Sequence, residues 1–503
     1  MRKLVTASEM KAIEKMWIDN MGISSLALME VAAQSVVGEI EKVFDSEASV
    51  HVFCGYGNNG GDGVAIARLL YADGYDVSIS MVGAKNKVTY ECMRQIITAQ
   101  NLNMEFVNWN EADLESKDFV VDAIFGIGLT RDVGGDFKTV IDKINDSKKY
   151  VFSVDIPSGT DSDNGATKGV SVKADKTVTL GIEKVGLYLY PGYDNAGEIV
   201  LKKIGLNDVF GITERFIALP ENNDIDLFLP KRKDDSNKGT YGHVLAFCGS
   251  REIAGACILS VEAAYRTGAG LVKAVTEKSN RTAVANAVPE SLIEIYDENN
   301  EPDYKNDIKW ATGFLCGCGL GNTSHSKKIL KNYFEALRLS EKEIPCVLDA
   351  DALNILAEDD RMLDLLPPNC VITPHMLEFS RLTKKNIEEI KNDRLNIALE
   401  YAKKHKVVVV LKDSRTCVVD STGDTFIITE GNNGMSTGGA GDVLAGIIAG
   451  IAAQKDVKLF DSAVAGAYLH AVAAKKALEN NTCETLIASD ISKALPYAYK
   501  TCH

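Results

Sequence analysis

Residues 436–450 read STGGAGDVLAGIIAG. Gly438, Gly439, Ala440 and Gly441 lead into Asp442, and an apolar run at helical spacing follows. A glycine-rich turn at a helix start presents backbone N–H groups to an anion, usually a phosphate. A carboxylate in that place needs a separate task. It has one if the glycines neutralise a transferring phosphoryl group while Asp442 takes a proton from the attacking hydroxyl. A structural alternative is an aspartate that simply favours the helix dipole.

The bulk numbers narrow the class. A chain of 503 residues exceeds one ordinary core, so two or three domains are expected. Its 46% hydrophobic and 25% charged residues are those of a globular protein. A net charge of −15 argues against nucleic acid and anionic membrane as partners. The eleven cysteines include no C-x2-C pair, and Cys316-Gly-Cys318 is too tight for a zinc clip. Reduced thiols, no apolar leader in MRKLVTASEMKAIEKMWIDN and no long apolar run make a cytoplasmic location the expectation. A homo-oligomer is also expected.

The opening segment reads as helices, with Met10, Ile13, Met16 and Trp17 at three- and four-residue spacing. A βαβ cadence follows: SVHVFCG as a strand, YGNNGGDG as a turn, VAIARLLYADG as a helix and YDVSISMVG as a second strand. DFVVDAIFGIG and YVFSVDIPSG are further strand-then-glycine units, which predicts a parallel α/β sheet. The cadence breaks in ERFIALPENNDIDLFLPKRKDDSNKGTYG and then restarts with HVLAFCGS. The expected organisation is therefore two α/β domains, 1–215 and 229–503, with a connection at 216–228.

In the first half, Gly55-x-Gly57-x-x-Gly60 lies between a strand and a helix, the context in which that spacing signals phosphate binding. Tight packing of the turn is the alternative. The next strand ends SMVG, without the acid that an ordinary dinucleotide-binding domain uses for the ribose hydroxyls. Asp122 and Asp155 end later strands, where ligand sites of open sheets lie. Asn59, Asp122 and Ser158 offer oxygen donors only, which suit a hard cation. Asp122 as a turn cap and Asp155 as an Asx-turn residue stay open beside these roles.

NNGGDG, DAIFGIGLTR and DIPSGTDSDNG, in this order, resemble the YjeF N-terminal family of NAD(P)H-hydrate epimerases over roughly the first 215 residues. The resemblance implies a Rossmann-like three-layer αβα domain acting on NADH or NADPH hydrated on the nicotinamide ring (NADHX, NADPHX). It implies that Asn58, Asn59, Gly60, Gly61 and Asp62 cradle the dinucleotide. Gly126, Ile127, Gly128, Leu129, Thr130, Arg131 and Asp132 would share that task. It further implies a potassium ion on Asn59, Asp122 and Ser158, and Asp155 as a catalytic group at the reacting ring.

In the second half CGLGNT, LDADALN, TPHMLEF and LKDSRT each sit at a strand end. Asp349 and Asp351 suit either magnesium or a helix cap, and His375 lacks metal-site spacing. Together with GGAGD these motifs resemble the ribokinase-like α/β fold and the YjeF C-terminal family, the ADP- or ATP-dependent NAD(P)H-hydrate dehydratases. The resemblance implies that Lys412, Asp413, Ser414, Arg415, Thr416 and Gly441 contact ADP, which brings Mg2+. It also implies that Ala254, Gly321, His375 and Asp442 face the hydrate, with Asp442 catalytic. One departure is TPHMLE where the family often has TPHPGE. The expected function is a bifunctional repair of hydrated NADH and NADPH, an isomerase and a lyase on one chain. Alternatives are a small-molecule kinase with a regulatory N-terminal half and a non-enzymatic nucleotide sensor.

Overall fold

The computed structural model describes residues 1–209 and 211–502. Two compact units form, one from Lys3–Ile217 and the other from Ala218 onward together with Met1–Arg2.

The sheet of the first unit has seven strands. In spatial order they are Glu105–Phe106, Asp76–Met81, Ser49–Cys54, Phe119–Ala123, Tyr150–Val154, Lys176–Leu180 and Glu198–Lys202, all parallel. Both faces are covered, as a parallel sheet requires. Val50, Val52 and Cys54 pack with helices Ser25–Ile40 and Asn58–Ala72. Phe53 and Val120 point the other way, against Val140, Ile141 and Ile144 of helix Asp136–Asp146. The result is the expected three-layer αβα arrangement. Strand order reverses between Ser49–Cys54 and Phe119–Ala123, so chain on either side of that point leaves in opposite directions and opens a crevice at the carboxyl ends.

Two local expectations change. Arg2–Val5 is a strand, with Leu4 opposite Glu183 in a parallel pair. Four residues carry no readable period, and their partner is far along the chain. The helices begin only at Ala7, where Thr6 and Glu9 form a capping box. The stretch NNGG, read as turn, is the first turn of helix Asn58–Ala72. Its glycines serve packing: a Cβ on Gly60 would stand 1.8 Å from the Gly55 carbonyl oxygen, and one on Gly61 2.6 Å from Met29 Cε.

The second unit repeats the principle. Its parallel strands run Leu292–Tyr296, Leu271–Glu277, His243–Phe247, Gly313–Cys316, Cys346–Leu348, Cys370–Ile372 and Val407–Leu411. Antiparallel Thr416–Val419 and Thr425–Ile428 extend it. The reversal lies between His243–Phe247 and Gly313–Cys316. The stretch 216–228, expected as a connection, holds strand Ile217–Leu219 and helix Asn222–Ile225, and Ala218 and Ile225 are fully buried. Among the described residues no helix is long and apolar enough to cross a membrane.

One face is closed by helices Ala254–Arg266 and Ala440–Ala452, which touch backbone to backbone. A Cβ on Gly446 would meet the Ser260 carbonyl oxygen at 2.2 Å, and one on Gly450 would meet Thr267 Oγ1 at 2.3 Å. Valine at 446 should therefore cost about 3 kcal/mol by overpacking. Calorimetry should show the thermal transition of the second unit falling by several degrees; an unchanged transition would mean that the helices part freely.

Candidate active sites

A cavity of about 630 Å³ occupies the crevice of the first unit. Asp155 follows strand Tyr150–Val154 with φ +68°, a conformation that aspartate tolerates better than most residues. Its Oδ1 accepts from Leu180 N at 3.0 Å, Thr179 Oγ1 at 3.3 Å and the buried Lys184 Nζ. Lys184 is only 1% exposed at its side chain, so this ammonium is committed to the pair. These contacts come from distant chain, and Asp155 is no Asx-turn residue.

Asp122 is fully buried. Its carboxylate accepts from Ser158 Oγ at 2.5 Å, Ser158 N at 2.8 Å, Ser153 Oγ at 2.9 Å and Ile124 N at 3.3 Å. The last of these is the turn contact that was the alternative for Asp122. Burial raises its pKa, and the Ser158 and Ser153 bonds pull it back. Phe125 N donates to Ser158 Oγ at 2.8 Å, and the Asn59 side chain lies against neighbouring Gly126. The Asn59 Nδ2 atom is buried without a hydrogen-bond partner. Asn59 Oδ1, the Asp122 carboxylate and Ser158 Oγ are the oxygen donors that a hard cation such as potassium takes, whereas the Asn59 Nδ2 group is a hydrogen-bond donor that calls for an acceptor.

Asn58, Asn59, Asp62, Gly126 to Leu129 and Arg131 line the cavity, whereas Gly60 and Gly61 are packed beneath it. Asp132 lines an adjoining hollow, and Thr130 lines neither.

In the second unit Asp349, His375 and Lys412 follow three successive parallel strands. Lys412 Nζ donates to Asp349 Oδ1 at 2.7 Å, and Asp349 is 1% exposed. Burial alone would lower the Lys412 pKa, but the Asp349 and Glu378 carboxylates more than offset this, and it is raised. Gly441 leaves room for that pair: a Cβ there would stand 3.2 Å from Lys412 Nζ and 3.5 Å from Asp349 Oδ2. Asp442, Asp349 and Cys318 each offer a ligand atom within 4.8 Å of the others. Burial first, and then the Asp349 charge, raise the Asp442 pKa to about 6, against the pull of the Cys318 thiol and Lys412. A carboxyl in that range can exchange a proton near neutral pH.

His375 caps helix Met376–Thr383. Its Nδ1 accepts from Leu377 N at 3.1 Å and Glu378 N at 3.2 Å, which places the ring proton on Nε2, and His375 N donates to Glu378 Oε2 at 2.8 Å. Burial and then Lys412 lower its pKa, so the ring is neutral. Met376 and Leu377 form the first helical turn, and the capping box does not need the family's usual Pro-Gly. Gly321 has φ +76° and donates its N–H to Asp351 Oδ2 at 2.7 Å. Asp351 therefore holds the Gly321 turn. Ala254 opens its helix.

Asp413, Ser414 and Arg415 form the turn into the antiparallel hairpin, whose first strand Thr416 opens. Asp413 binds buried Arg394 at 3.0 Å, and Arg415 donates to the Thr429 carbonyl. Ser414 is exposed.

Residues 25–186 match the family described as YjeF-related protein N-terminus, and residues 244–497 that described as NAD(P)H-hydrate dehydratase. The bifunctional NAD(P)H-hydrate repair enzyme of Coxiella burnetii is 33% identical over 484 residues, 96% of each chain. This chain belongs to the family of bifunctional NAD(P)H-hydrate repair enzymes. The repair enzyme of Moorella thermoacetica is 33% identical over 99% of this chain and 96% of its own, and that of Escherichia coli 32% over 97% and 92%. Among solved structures, a ribokinase-like superfamily protein of Enterococcus faecalis matches with TM-score 0.52 at 29% identity, over 57% of this chain and 96% of that one. A protein of Streptococcus mutans matches with TM-score 0.51 at 27% identity, over 57% and 99%. The second unit is ribokinase-like.

Sequence reasoning about this repair-enzyme family member missed Lys184, Cys318 and Glu14. Lys184 carries no motif, and Cys318 opens the CGLGNT stretch without any local sign that its thiol meets Asp442. Glu14 does give a signal, an acid four residues after Met10 on the otherwise apolar face of the first helix. The buried Lys412–Asp349 pair also makes a thermodynamic prediction. Lys412→Met should destabilise the second unit by about 3 kcal/mol because an unpaired carboxylate stays buried. Adding Asp349→Asn should recover much of that loss in thermal melts, and a purely additive double variant would mean that the two charges do not interact.

Proposed function

We propose that the first unit interconverts the R and S hydrates of NADH and NADPH and that the second dehydrates the S form with ADP. The observation that carries the reading is Asp442, a carboxyl held at a pKa of about 6 beside a glycine-rich helix start and the Lys412 ammonium. Asp442 takes the C6 hydroxyl proton as that oxygen attacks the terminal phosphoryl group of ADP. The backbone N–H groups at Gly439 to Gly441 and Lys412 hold the charge that develops. AMP leaves. The phosphate then departs from C6 while a proton leaves C5, which restores the double bond. Ala254, Gly321 and neutral His375 face the hydrate in this reading. Lys412 to Thr416 and Gly441 take the nucleotide, Asp413 and Arg415 through the backbone they brace.

Mg2+ accompanies ADP. Asp349 and Asp442 are hard oxygen donors, although Asp349 is already paired with Lys412, so the phosphates carry most of the ligation. When bound, the ion supplies further neutralisation of phosphate charge. In the first unit Asn59, Asp122 and Ser158 hold potassium, which supplies positive charge beside the dinucleotide. Asp155 is the acid–base group there, with Asn58 to Asp62 and Gly126 to Asp132 around the substrate. Eleven free thiols suit a reducing cytoplasm.

Recovery of near-ultraviolet NADH absorbance from pure S hydrate and ADP tests the second unit. Asp442→Asn should reduce it at least about 100-fold and leave R-to-S conversion intact. A dehydratase near full rate in that variant would remove Asp442 as the base. The wild-type rate should fall as pH drops through about 6, because protonation of Asp442 removes the acceptor. Asp155→Asn should do the reverse, sparing dehydration and losing epimerisation. Exchanging potassium for tetramethylammonium should weaken epimerisation alone; equal loss of both activities would point away from Asn59, Asp122 and Ser158.

A further inference from the structure

The cavity of the first unit gathers carboxyls with very unequal partners. Asp155 Oδ1 takes three hydrogen bonds, including that of Lys184, while Oδ2 accepts none among the described residues. Glu14, from helix Ala7–Lys15, and Asp62, from helix Asn58–Ala72, line the same cavity. Neither makes a hydrogen bond or ion pair among the described residues, and a carboxyl without donors in a half-buried wall favours its neutral form. The cavity therefore combines an anion fixed by an ammonium with unpaired carboxyls on separate helices, which is how sites set an acid against a base.

We propose that Glu14 is the general acid of the epimerase site, a second catalytic residue working opposite Asp155. The role rests on the reading of the first unit as an epimerase. Asp155 Oδ2 removes the C6 hydroxyl proton. The C6 oxygen becomes a carbonyl as the C6–N1 bond breaks, the electron pair goes to N1, and N1 takes the Glu14 proton. Rotation about C5–C6 turns the carbonyl over. N1 then attacks the other face and returns its proton to Glu14, and the oxygen recovers its proton from Asp155. Both groups are reset in each turnover, and no atom enters from solvent.

The choice of Glu14 over Asp62 follows from their surroundings. Burial, then the Asp155 charge, raise the Glu14 pKa, while Lys184 and Lys11 pull it back towards exchange. Burial, Asp155 and Glu14 raise the Asp62 pKa, with only Lys184 opposing, so Asp62 lacks the Lys11 ammonium that faces Glu14. Of the other charged groups on the cavity wall, Glu91 accepts from Ser25 Oγ at 2.7 Å, Lys87 lies in the short 3-10 turn Lys85–Lys87, and Arg131 follows the Gly126 to Leu129 stretch.

The test uses the intact chain and purified R hydrate, with R and S separated by chromatography. Glu14→Gln should lower the epimerase kcat about 100-fold with little change in KM. It should also abolish the alkaline limb of the wild-type pH profile, while dehydration of S hydrate and the thermal melts stay unchanged. Glu14→Asp, which keeps the carboxyl, should retain the limb at a reduced rate and carries the test if the glutamine variant does not fold. A Glu14→Gln chain with wild-type kcat and an intact alkaline limb would overturn the role, as would loss of that limb in Asp62→Asn instead. In heavy-oxygen water the product should keep its original C6 oxygen, and heavy oxygen gained at each turnover would overturn the ring-opening step. A wild-type chain that never converts R to S removes the epimerase reading itself; an active Glu14→Gln chain removes only this residue.

Discussion

A parallel sheet that reverses its strand order once leaves a crevice at the carboxyl ends of the two strands beside the reversal, because their following helices cross to opposite faces. Each unit of this chain is built on that constraint. In the first, the reversal falls between Ser49–Cys54 and Phe119–Ala123; Asn59 lies in the first turn of the helix that follows one of these strands, and Gly126 in the loop after the other. In the second it falls between His243–Phe247 and Gly313–Cys316, and Gly321, Asp349, His375 and Lys412 all follow parallel strands. The strand ends present Asp155, Asp349 and Lys412, and helices Ala7–Lys15 and Ala440–Ala452 bring Glu14 and Asp442.

Buried charge sets the second rule. Each cleft contains one carboxylate held by an ammonium, Asp155 with Lys184 and Asp349 with Lys412. Each also contains a carboxyl without such support, Glu14 in one and Asp442 in the other, whose pKa is raised by burial and by the paired carboxylate nearby. The ion pair is thus more than a contribution to stability, which for a buried pair is often small. It fixes a negative charge whose field raises the pKa of the neighbouring carboxyl.

The glycines of the opening stretch divide by what surrounds them. Gly439 takes φ +92° at the helix start, Gly441 leaves room for Lys412 and Asp349, and Gly446 and Gly450 let two helices meet at backbone distance. One glycine-rich string therefore serves a turn, a catalytic approach and a packing seam. Only the first two were suggested by the spacing of the sequence. The seam depends on Ser260 and Thr267, residues almost two hundred positions away, and nothing local marks them.

Much of the fold was legible. Apolar strands followed by glycine turns and helices of period 3.6 dictated two parallel α/β units, since such strands are stable only with both faces covered. GNNGGDG and GGAGD located both crevices, because glycine is demanded wherever backbone must approach backbone or anion. Strand Arg2–Val5 and the Lys184–Asp155 pair were not legible: four residues hold no period, and a lysine in an apolar stretch has no sequence sign of its partner. The capping of His375 by Glu378 was within reach of local reading, as an i, i+3 pair, yet the neutral ring follows only from burial beside Lys412. The sequence by itself determined where the strands end and which acids stand there. The tertiary structure alone decided which of those acids keeps its charge, because a carboxyl's state depends on the burial and neighbouring charges that chain folding brings together.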